Sequence, residues 1–347
     1  MRFAGIAWTG EGYEVAVQGP GRPSTITFVP GQSGAVVDLL RSATSFGEER
    51  LAVVVDSTNG LLDGHLTAAG FDVHRADPWQ LPVRDTFGSV GADLLAGLAE
   101  RDLAALTRIT GETGTLAGRI KELNAENARC TMVEQRLAKT GRFLTCAEID
   151  HPRIALTFDD GPEPPFTGAI LDILGDRGIH ATFFSAGLNA RAHPDLLARI
   201  AAEGHQVGNH SWSHPFIADL TPPDLAAQVE ATGATIAEVC GDAPDLFRPP
   251  YGARTPDSLI WLAEAGMTTV LWSIDSGDWA RPGPEAIEHT VLAGAANGSI
   301  VLMHDGGGDR SQTVAALPAV VAGLEERGFS LTTVEGLRSP ASGTWSA

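Results

Sequence analysis

The apolar stretch Ile154–Phe158 (IALTF) runs directly into Asp159–Pro162 (DDGP). A short apolar run of this kind is typical of a buried strand, and the Gly-Pro pair that follows forces a turn that exposes both carboxylates. Adjacent carboxylates repel each other, so a cation, either a metal ion or an arginine, is the simplest way to keep both ionised. A helix cap or an ordinary Asp-Gly turn is the alternative explanation of this segment.

Downstream of this stretch, strand-like and helical patterns alternate. The expected strands are Arg153–Phe158, Ala181–Phe184, Gln206–Asn209, Thr268–Ile274, Ser299–Met303 and Ser330–Val334. The expected helices are Pro194–Glu203, Pro222–Cys240, Pro256–Ala265, Glu285–Ala296 and Thr313–Arg327. This alternation predicts a parallel sheet, either open or closed into a barrel, with chemistry gathered where strands end.

The first 150 residues predict a separate α/β unit. Short strands are expected at Gly12–Val17, Thr25–Val29, Leu51–Val55 and Phe71–His74, with a helix over Gly64–Ala69. From Leu103 to Leu137 apolar residues recur at helical spacing: Leu116, Ile120, Leu123, Cys130, Val133 and Leu137. This stripe predicts an amphipathic helix packed on its own domain; a dimerising coiled coil is the alternative, although Asn127 interrupts the stripe. We therefore expect a domain over 1–100, a helical connector over 101–150, a catalytic domain over 151–338 and a tail over 339–347.

Charge and composition exclude several classes of partner. The formal net charge is −19 and the sequence pI is about 4.8; the charge is −5 over residues 1–150 and −14 over the rest. Such a surface disfavours nucleic acid and anionic lipid. The three cysteines form no CxxC pair, which favours a reducing compartment, and no apolar run approaches the ~18 residues of a spanning helix. With no signal-like N-terminus, the expectation is a cytoplasmic protein.

The second polar cluster follows Gln206–Asn209 and contains two histidines four residues apart, His210 and His214. In a helical turn this spacing would point both imidazoles the same way, as in chelation of a divalent metal. With Asp160 as a third ligand, the set would suit Zn²⁺ or another late first-row ion and leave positions open for water and substrate. The alternative to a metal site is that both residues are ordinary surface or core histidines.

Three further clusters also lie at strand ends. Arg248 precedes two prolines that fix its backbone, Asp275–Trp279 places acids beside an aromatic ring, and His304 ends an apolar strand before a glycine run. His304 is well placed as an acid or a base. The alternatives without a catalytic role are a rigid turn at Arg248, a core tryptophan in the second cluster, and a buried, hydrogen-bonded histidine at His304.

Together, five segments resemble the motifs of the polysaccharide deacetylases, the NodB-homology domain of carbohydrate esterase family 4. These are Thr157–Pro162, His210–His214, Arg248–Tyr251, Asp275–Trp279 and Leu302–His304. The resemblance covers about Arg153–Leu337, and it implies an irregular (β/α) barrel of about seven strands, preceded here by a smaller α/β domain.

The resemblance implies a metal site formed by Asp160, His210 and His214. Zinc is the first expectation, with cobalt, nickel and manganese as alternatives. The open coordination positions would then hold the attacking water and the substrate carbonyl.

The resemblance also implies two proton-transfer groups. Asp159 would be the general base, kept ionised and oriented by Arg248, and His304 would protonate the leaving amine while paired with Asp278. The backbone N–H of Tyr251 would stabilise the oxyanion. Trp279 and Leu302 would line the pocket for the acyl methyl group.

The N-terminal half is weakly similar to the RNase H-like domain of insertion-sequence transposases, over Gly5–Trp8, Val53–Gly60, Ala68–Pro78 and Ala92–Ala96. That domain needs several carboxylates for Mg²⁺, and the first-strand acid is replaced by Ala7 here. We therefore expect a degenerate scaffold for dimerisation, substrate capping or partner binding, with a Mg²⁺ nuclease as the minority alternative.

These observations predict a metal-dependent amide hydrolase that removes an N-acetyl or other N-acyl group from an amino sugar or a related small N-acylated metabolite. A non-catalytic metal-binding or regulatory protein is the alternative, but a mere binder would need neither Asp159 nor His304. No nucleic-acid or membrane partner is expected, and a homo-oligomer formed through the N-terminal half is left open.

Overall fold

The structure is a computed structural model that describes residues 1–19, 22–31, 33–44, 50–82, 87–109 and 127–338. Two β-sheets organise these residues, and helices cover both of them. The predicted tail over 339–347 lies outside the described residues. In the described part of the chain, no helix has the length and apolar character needed to cross a bilayer.

The first sheet has six strands in the order β3-β2-β1-β4-β5-β6. Its strands are β1 (Arg2–Trp8), β2 (Gly12–Gly19), β3 (Arg22–Pro30), β4 (Leu51–Asp56), β5 (Asp72–Ala76) and β6 (Thr107–Ile109). β1, β2 and β3 pair antiparallel, β1, β4 and β5 pair parallel, and β6 returns antiparallel to β5. The helices of this part are α1 (Ser33–Thr44), α2 (Asp63–Ala68) and α3 (Ala92–Asp102).

Both faces of the first sheet are buried, which explains the continuous apolar runs of its central strands. α3 packs so closely on β1 that a side chain at Gly5 would overlap the backbone of Ala92. On the opposite face, Val36 and Leu40 of α1 pack with Ile6 and Val53. Ala7, the position at which the RNase H-like resemblance predicts an acid, is buried against Ala92 in the core.

The second sheet has nine strands, all paired in parallel, in the order β13-β14-β8-β9-β10-β11-β12-β7, with β15 added to the start of β8. These strands are β7 (Phe143–Leu144), β8 (Arg153–Asp159), β9 (Thr182–Ser185), β10 (Gln206–Asn209), β11 (Leu246–Phe247), β12 (Thr268–Val270), β13 (Ile274–Asp275), β14 (Ile300–His304) and β15 (Ser330–Thr332). The sheet is curled into an incompletely closed (β/α) barrel, which confirms the predicted fold class.

Helices follow most strands of the barrel. They are α4 (Thr131–Lys139), α5 (Phe166–Gly175), α6 (Gly187–Ala192), α7 (Pro194–Ala202), α8 (Pro222–Cys240), α9 (Pro256–Glu264), α10 (Pro284–Gly294), α11 (Ser311–Glu326) and α12 (Val334–Arg338). α8 begins where the Thr221 hydroxyl accepts a hydrogen bond from the Asp224 N–H and Pro222 occupies the first turn, as expected of a capped start.

The predicted single strand Thr268–Ile274 is wrong as one element, because it is divided into β12 and β13. The Arg248 guanidinium hydrogen-bonds to the backbone carbonyls between the two strands: Nε donates to Val270 O at 3.2 Å and Nη2 donates to Leu271 O at 3.1 Å. Carbonyls that accept from this side chain no longer continue the strand ladder.

The segment expected to be one helix from Leu103 to Leu137 is also different. Thr107–Ile109 is strand β6, and residues 110–126, which carry half of the predicted apolar stripe, lie outside the described residues. The rest of the stripe, Cys130, Val133 and Leu137, packs against Leu259 and neighbouring side chains of the barrel rather than against the first sheet. Long-range packing therefore determines the structure of this segment. Strand β7, which lies inside the expected helical connector, pairs with β12 of the second sheet.

Candidate active site

The polar clusters expected at strand ends do meet at the carboxyl ends of the barrel strands. Asp159 and Asp160 lie at the end of β8, His210 and His214 follow β10, and His304 ends β14. Arg248 follows β11 and Asp278 follows β13. In parallel sheets all carboxyl ends lie on one edge, so residues far apart in sequence share one site.

Asp160, His210 and His214 form a group whose ligand atoms all lie within 4.8 Å of one another. Nε2 of His210 lies 3.3 Å from Oδ1 of Asp160, and Nε2 of His214 lies 3.1 Å from the same oxygen. This oxygen is buried and makes no hydrogen bond within the described part of the chain. A buried carboxylate oxygen without a donor, facing two imidazole nitrogens, fits a divalent cation, and two imidazoles with one carboxylate suit zinc-type ions.

The two histidines are not on a helical turn, so that part of the prediction is wrong. The segment is a loop in which Ser211 and His214 adopt left-handed backbone conformations, with φ of 65° and 60°. The Asn209 side chain stabilises this loop, because its Oδ1 accepts the Ser211 N–H at 2.9 Å. The Gln228 side chain of α8 accepts the backbone N–H groups of Trp212 and Ser213.

The two histidines of this candidate metal site are set up by their surroundings. His210 Nδ1 lies 2.7 Å from the carbonyl oxygen of Arg248, which leaves Nε2 for the site, as is usual for a metal-binding histidine. Burial lowers the pKa of His214 to about 3, so its imidazole is neutral and can donate a lone pair.

Asp159 is paired with a completely buried arginine. Nη1 of Arg248 donates to Asp159 Oδ1 and to Thr157 Oγ1, both at 2.7 Å. The guanidinium also lies over the Phe184 ring, 4.1 Å from its centroid. Its remaining donors reach backbone carbonyls, so Arg248 is fixed, and its hydrogen bond fixes the position of the Asp159 carboxyl group.

His304 and Asp278 form a second hydrogen-bonded pair at the site. His304 Nδ1 lies 2.7 Å from Asp278 Oδ1, while Oδ2 of Asp278 accepts the His304 N–H and the Thr313 hydroxyl. Burial alone would lower the pKa of His304, but the Asp278 carboxylate outweighs it and raises that pKa to about 9. The imidazole is therefore protonated at neutral pH and presents Nε2 as a proton donor.

The expected substrate-contacting residues lie around this centre. Tyr251 follows the two prolines with a left-handed backbone, φ 58°, a costly conformation outside glycine. Leu302 is buried beneath the site on β14, and Trp279 is 51% exposed beside Asp278. The wall expected for an acyl group would therefore consist of one buried side chain, Leu302, and one exposed side chain, Trp279.

Sequence reasoning missed the residues that hold the Asp-Asp turn. Asp305 accepts the Gly161 N–H at 3.1 Å and the Thr167 hydroxyl at 2.6 Å, and burial raises the pKa of Asp305 to about 7. Asn189 Nδ2 donates to the Asp160 carbonyl at 2.6 Å. The adjacency of Asp305 to His304 was the available signal, whereas nothing local pointed to Asn189.

The fold and site define a barrel hydrolase with a two-histidine, one-aspartate centre flanked by a carboxylate and an imidazolium. The sequence matches the polysaccharide deacetylase family over residues 147–270. The chain is 43% identical over 199 residues to a chitooligosaccharide deacetylase of Rhizobium leguminosarum bv. trifolii, covering 53% of this chain and 91% of the relative. It is 41% identical over 208 residues to a peptidoglycan-N-acetylglucosamine deacetylase of Bacillus cereus, covering 59% and 97%.

Among solved structures, a peptidoglycan N-acetylglucosamine deacetylase in complex with a hydroxamate-type benzamide superposes with a TM-score of 0.57 at 34% identity, covering 59% of this chain and 96% of that one. The chain belongs to the polysaccharide deacetylase family. It is a hydrolase of carbon–nitrogen bonds other than peptide bonds. The residues matched by the family model lie in the barrel part of the chain.

Proposed function

We propose that this protein removes the N-acetyl group from a small N-acetylated amino sugar or a short oligosaccharide of such units. The observation that carries the proposal is the joint placement of a three-ligand metal group, an arginine-held carboxylate and an aspartate-held imidazolium at one edge of the barrel. Amide hydrolysis needs a base for water and an acid for the leaving amine, and the two pairs supply them separately.

Asp160, His210 and His214 would hold the cation, for which we propose zinc. When bound, a divalent cation supplies a nucleophilic water at neutral pH and polarises the amide carbonyl. Cobalt, nickel and manganese remain the alternative occupants.

Asp159 is the group that accepts the proton of the attacking water. It is suited to this role because Arg248 fixes its Oδ1 and its second oxygen, Oδ2, lies only 3.7 Å from His210 Nε2 and thus borders the metal group. His304 then donates the proton on Nε2 to the amine nitrogen as the carbon–nitrogen bond breaks. Tyr251 contributes its backbone N–H, and Leu302 and Trp279 enclose the acyl methyl.

The substrate class is supported by the relatives, whose names refer to chitooligosaccharides and to peptidoglycan N-acetylglucosamine. We propose the N-acetylglucosamine unit as the reacting group and a soluble molecule as its carrier. The cytoplasmic location is proposed with it, and fractionation of the producing cells tests that point.

No observation favours a nuclease function of the first domain. The carboxylate of Asp56 is fully occupied, since Oδ1 accepts from the Thr58 N–H and hydroxyl and Oδ2 accepts from the Ser89 hydroxyl. Within the described ranges, Asp160, His210 and His214 are the only metal-binding group found. The RNase H-like resemblance stays a prediction, and we propose a scaffold role for this domain.

Acetate release tests the proposed function directly. The purified chain, loaded with Zn²⁺, should release acetate from N-acetylglucosamine or its dimer, should lose this activity with chelator, and should regain it when Zn²⁺ is restored. Asp159→Asn should bind metal with unchanged stoichiometry and lose turnover. Acetate release that persists after complete metal removal would contradict the proposal, as would full turnover by the Asp159→Asn variant.

A further inference from the structure

Three loops of the catalytic site are in contact with the first domain, through the segment that contains the start of α2. Gly60 lies against the loop that carries His214 and against Tyr251, whereas Gly64 lies against the glycine loop at 306–308. These loops follow three different strands of the barrel, so one short segment of the first domain contacts three parts of the site.

At Gly60 the contact leaves no space. A single methyl group there would overlap the His214 carbonyl oxygen and the Tyr251 hydroxyl, and it would come within 2.9 Å of His214 Nδ1. A sugar ring between two surfaces needs a van der Waals contact of about 3.5–4.0 Å on each side, or roughly 7 Å in all. No sugar unit passes between Gly60 and the His214 loop.

At Gly64 the contact reaches the metal group from behind. A methyl group on Gly64 would overlap the carbonyl oxygen of Gly307, and Gly307 itself lies directly against the Asp160 carboxylate. Next to it, His65 Nε2 lies 2.9 Å from Glu163 Oε1, and Oε2 of Glu163 accepts the Gly307 N–H at 2.9 Å. The domain is therefore attached to the loop that supports a metal ligand.

The first domain is fixed to the barrel by a shared hydrophobic core. Trp212, between the two histidines, packs with Trp8, Leu61 and Leu188 in one cluster of buried side chains. Phe87 lies edge-on between the two tryptophans, 5.1 Å from the Trp8 ring and 5.8 Å from the Trp212 ring. Continuous burial of this kind makes separation of the two parts costly, at about 25 cal/mol per Å² of apolar surface.

The opposite side of the site is open. Trp279 is 51% exposed, and Asp275 at the end of β13 is exposed as well. Among the described residues, Trp279 and Asp275 are thus exposed beside the His304–Asp278 pair, whereas His214 and Tyr251 are covered by Gly60.

We propose that the N-terminal domain is a fixed cap that turns the site into a one-ended pocket, so that only a terminal N-acetylated sugar unit reaches the metal group. This inference rests on the proposed N-deacetylase function and assigns its substrate specificity to Gly60, Gly64 and His65 of the cap. An internal unit of a polysaccharide would need free space on both sides of the reacting sugar, and the cap occupies one of them.

The test uses the full-length zinc-loaded protein with N-acetylglucosamine oligomers of one to six units and with soluble glycol chitin. Products are sequenced by tandem mass spectrometry after ¹⁸O labelling of the reducing end. The cap predicts one deacetylated unit per chain, always at the same end, and no more than background acetate from glycol chitin. Deacetylation of internal units, or equal kcat/KM per acetyl group on glycol chitin and on the dimer, would overturn the cap while leaving the deacetylase function intact. Absence of acetate from every oligomer would overturn the proposed function, and this inference with it.

A matched pair of variants tests whether the cap causes the restriction. Gly31 lies at the margin of the contact, where an added Cβ would come within 2.9 Å of the Ala192 Cβ, whereas an added Cβ at Gly10 would meet nothing within 4 Å. Gly31→Leu should loosen the cap and raise the internal fraction of deacetylated units several-fold over wild type. Gly10→Leu should keep the terminal pattern. Identical patterns in both variants, together with a melting temperature that falls only in Gly31→Leu, would show that loosening the cap does not admit internal units and would overturn the proposal.

Discussion

Replacing Asp278 by asparagine should move the alkaline limb of the pH–rate profile. In the wild-type protein the carboxylate raises the pKa of His304 from 6.5 to about 9, a difference that corresponds to about 3 kcal/mol. Asparagine keeps the size of the side chain but removes the charge that outweighs burial. The pKa of His304 should then fall at least to its ordinary value of 6.5, because burial, which lowers it, is no longer offset by a charge.

The effect on turnover follows from the protonated fraction of His304. At pH 8 a group with a pKa of 9 is about 90% protonated, whereas a group with a pKa of 6.5 is about 3% protonated. Because only the protonated imidazole can donate to the leaving amine, Asp278→Asn should lower kcat at pH 8 by about 30-fold. At pH 6, where a group with a pKa of 6.5 is still about 75% protonated, the loss should be far smaller.

The assay is acetate release measured from pH 5 to pH 10. The exposed Asp275, three residues away, gives the matched control Asp275→Asn, whose alkaline limb should stay near pH 9. Zinc affinity should be unchanged in both variants. An Asp278→Asn enzyme that keeps the wild-type alkaline limb would refute the assignment of His304 as the acid.

Three further changes have defined outcomes. Arg248→Met leaves the Asp159 carboxylate buried without its partner, so the free energy of unfolding in denaturant should fall by about 3–5 kcal/mol; an unchanged unfolding midpoint would contradict this. His214→Ala should weaken zinc binding, measured by calorimetry, by more than about 100-fold, because losing even a residue that only hydrogen-bonds to a metal ligand lowers metal affinity about 10–100-fold. The control variant His289→Ala, at an exposed position, should bind zinc normally. Gly161→Ala would push a methyl group into the Asp305 carboxylate and should cost about 10²-fold in kcat through the displaced turn; Gly168→Ala on α5, with no close neighbour, should be nearly neutral.

The elements that local pattern decides were predictable from the sequence. β8, β10 and α8 match their apolar runs and caps, because buried parallel strands and a Thr-Pro helix start leave direct signals. The position of Asp159 and His304 at strand ends followed from the same patterns. The order of strands in a parallel barrel then brought the motifs together.

What long-range contacts decide was not predictable. The His210–His214 segment is a strained loop because Asn209 and Gln228 capture its N–H groups, and a four-residue spacing does not show that. The division of β12 from β13 depends on Arg248, which is distant in sequence. The helix at Thr131–Lys139 packs on the barrel, and its apolar stripe alone does not show which part of the protein it packs against.

The contact of Gly60 with the His214 loop was likewise absent from the sequence. Glycine leaves no hydrophobic signal, and its close approach shows only in three dimensions. The sequence could therefore suggest substrate capping as one role of the first domain among several, but it could not locate the cap.

Anomalous diffraction from crystals grown with Zn²⁺ tests the central claim most directly. The account predicts one strong peak at about 2.0–2.2 Å from a carboxylate oxygen of Asp160 and from Nε2 of both His210 and His214. A map with the zinc peak elsewhere, or with these three side chains turned away from a common point, would contradict it.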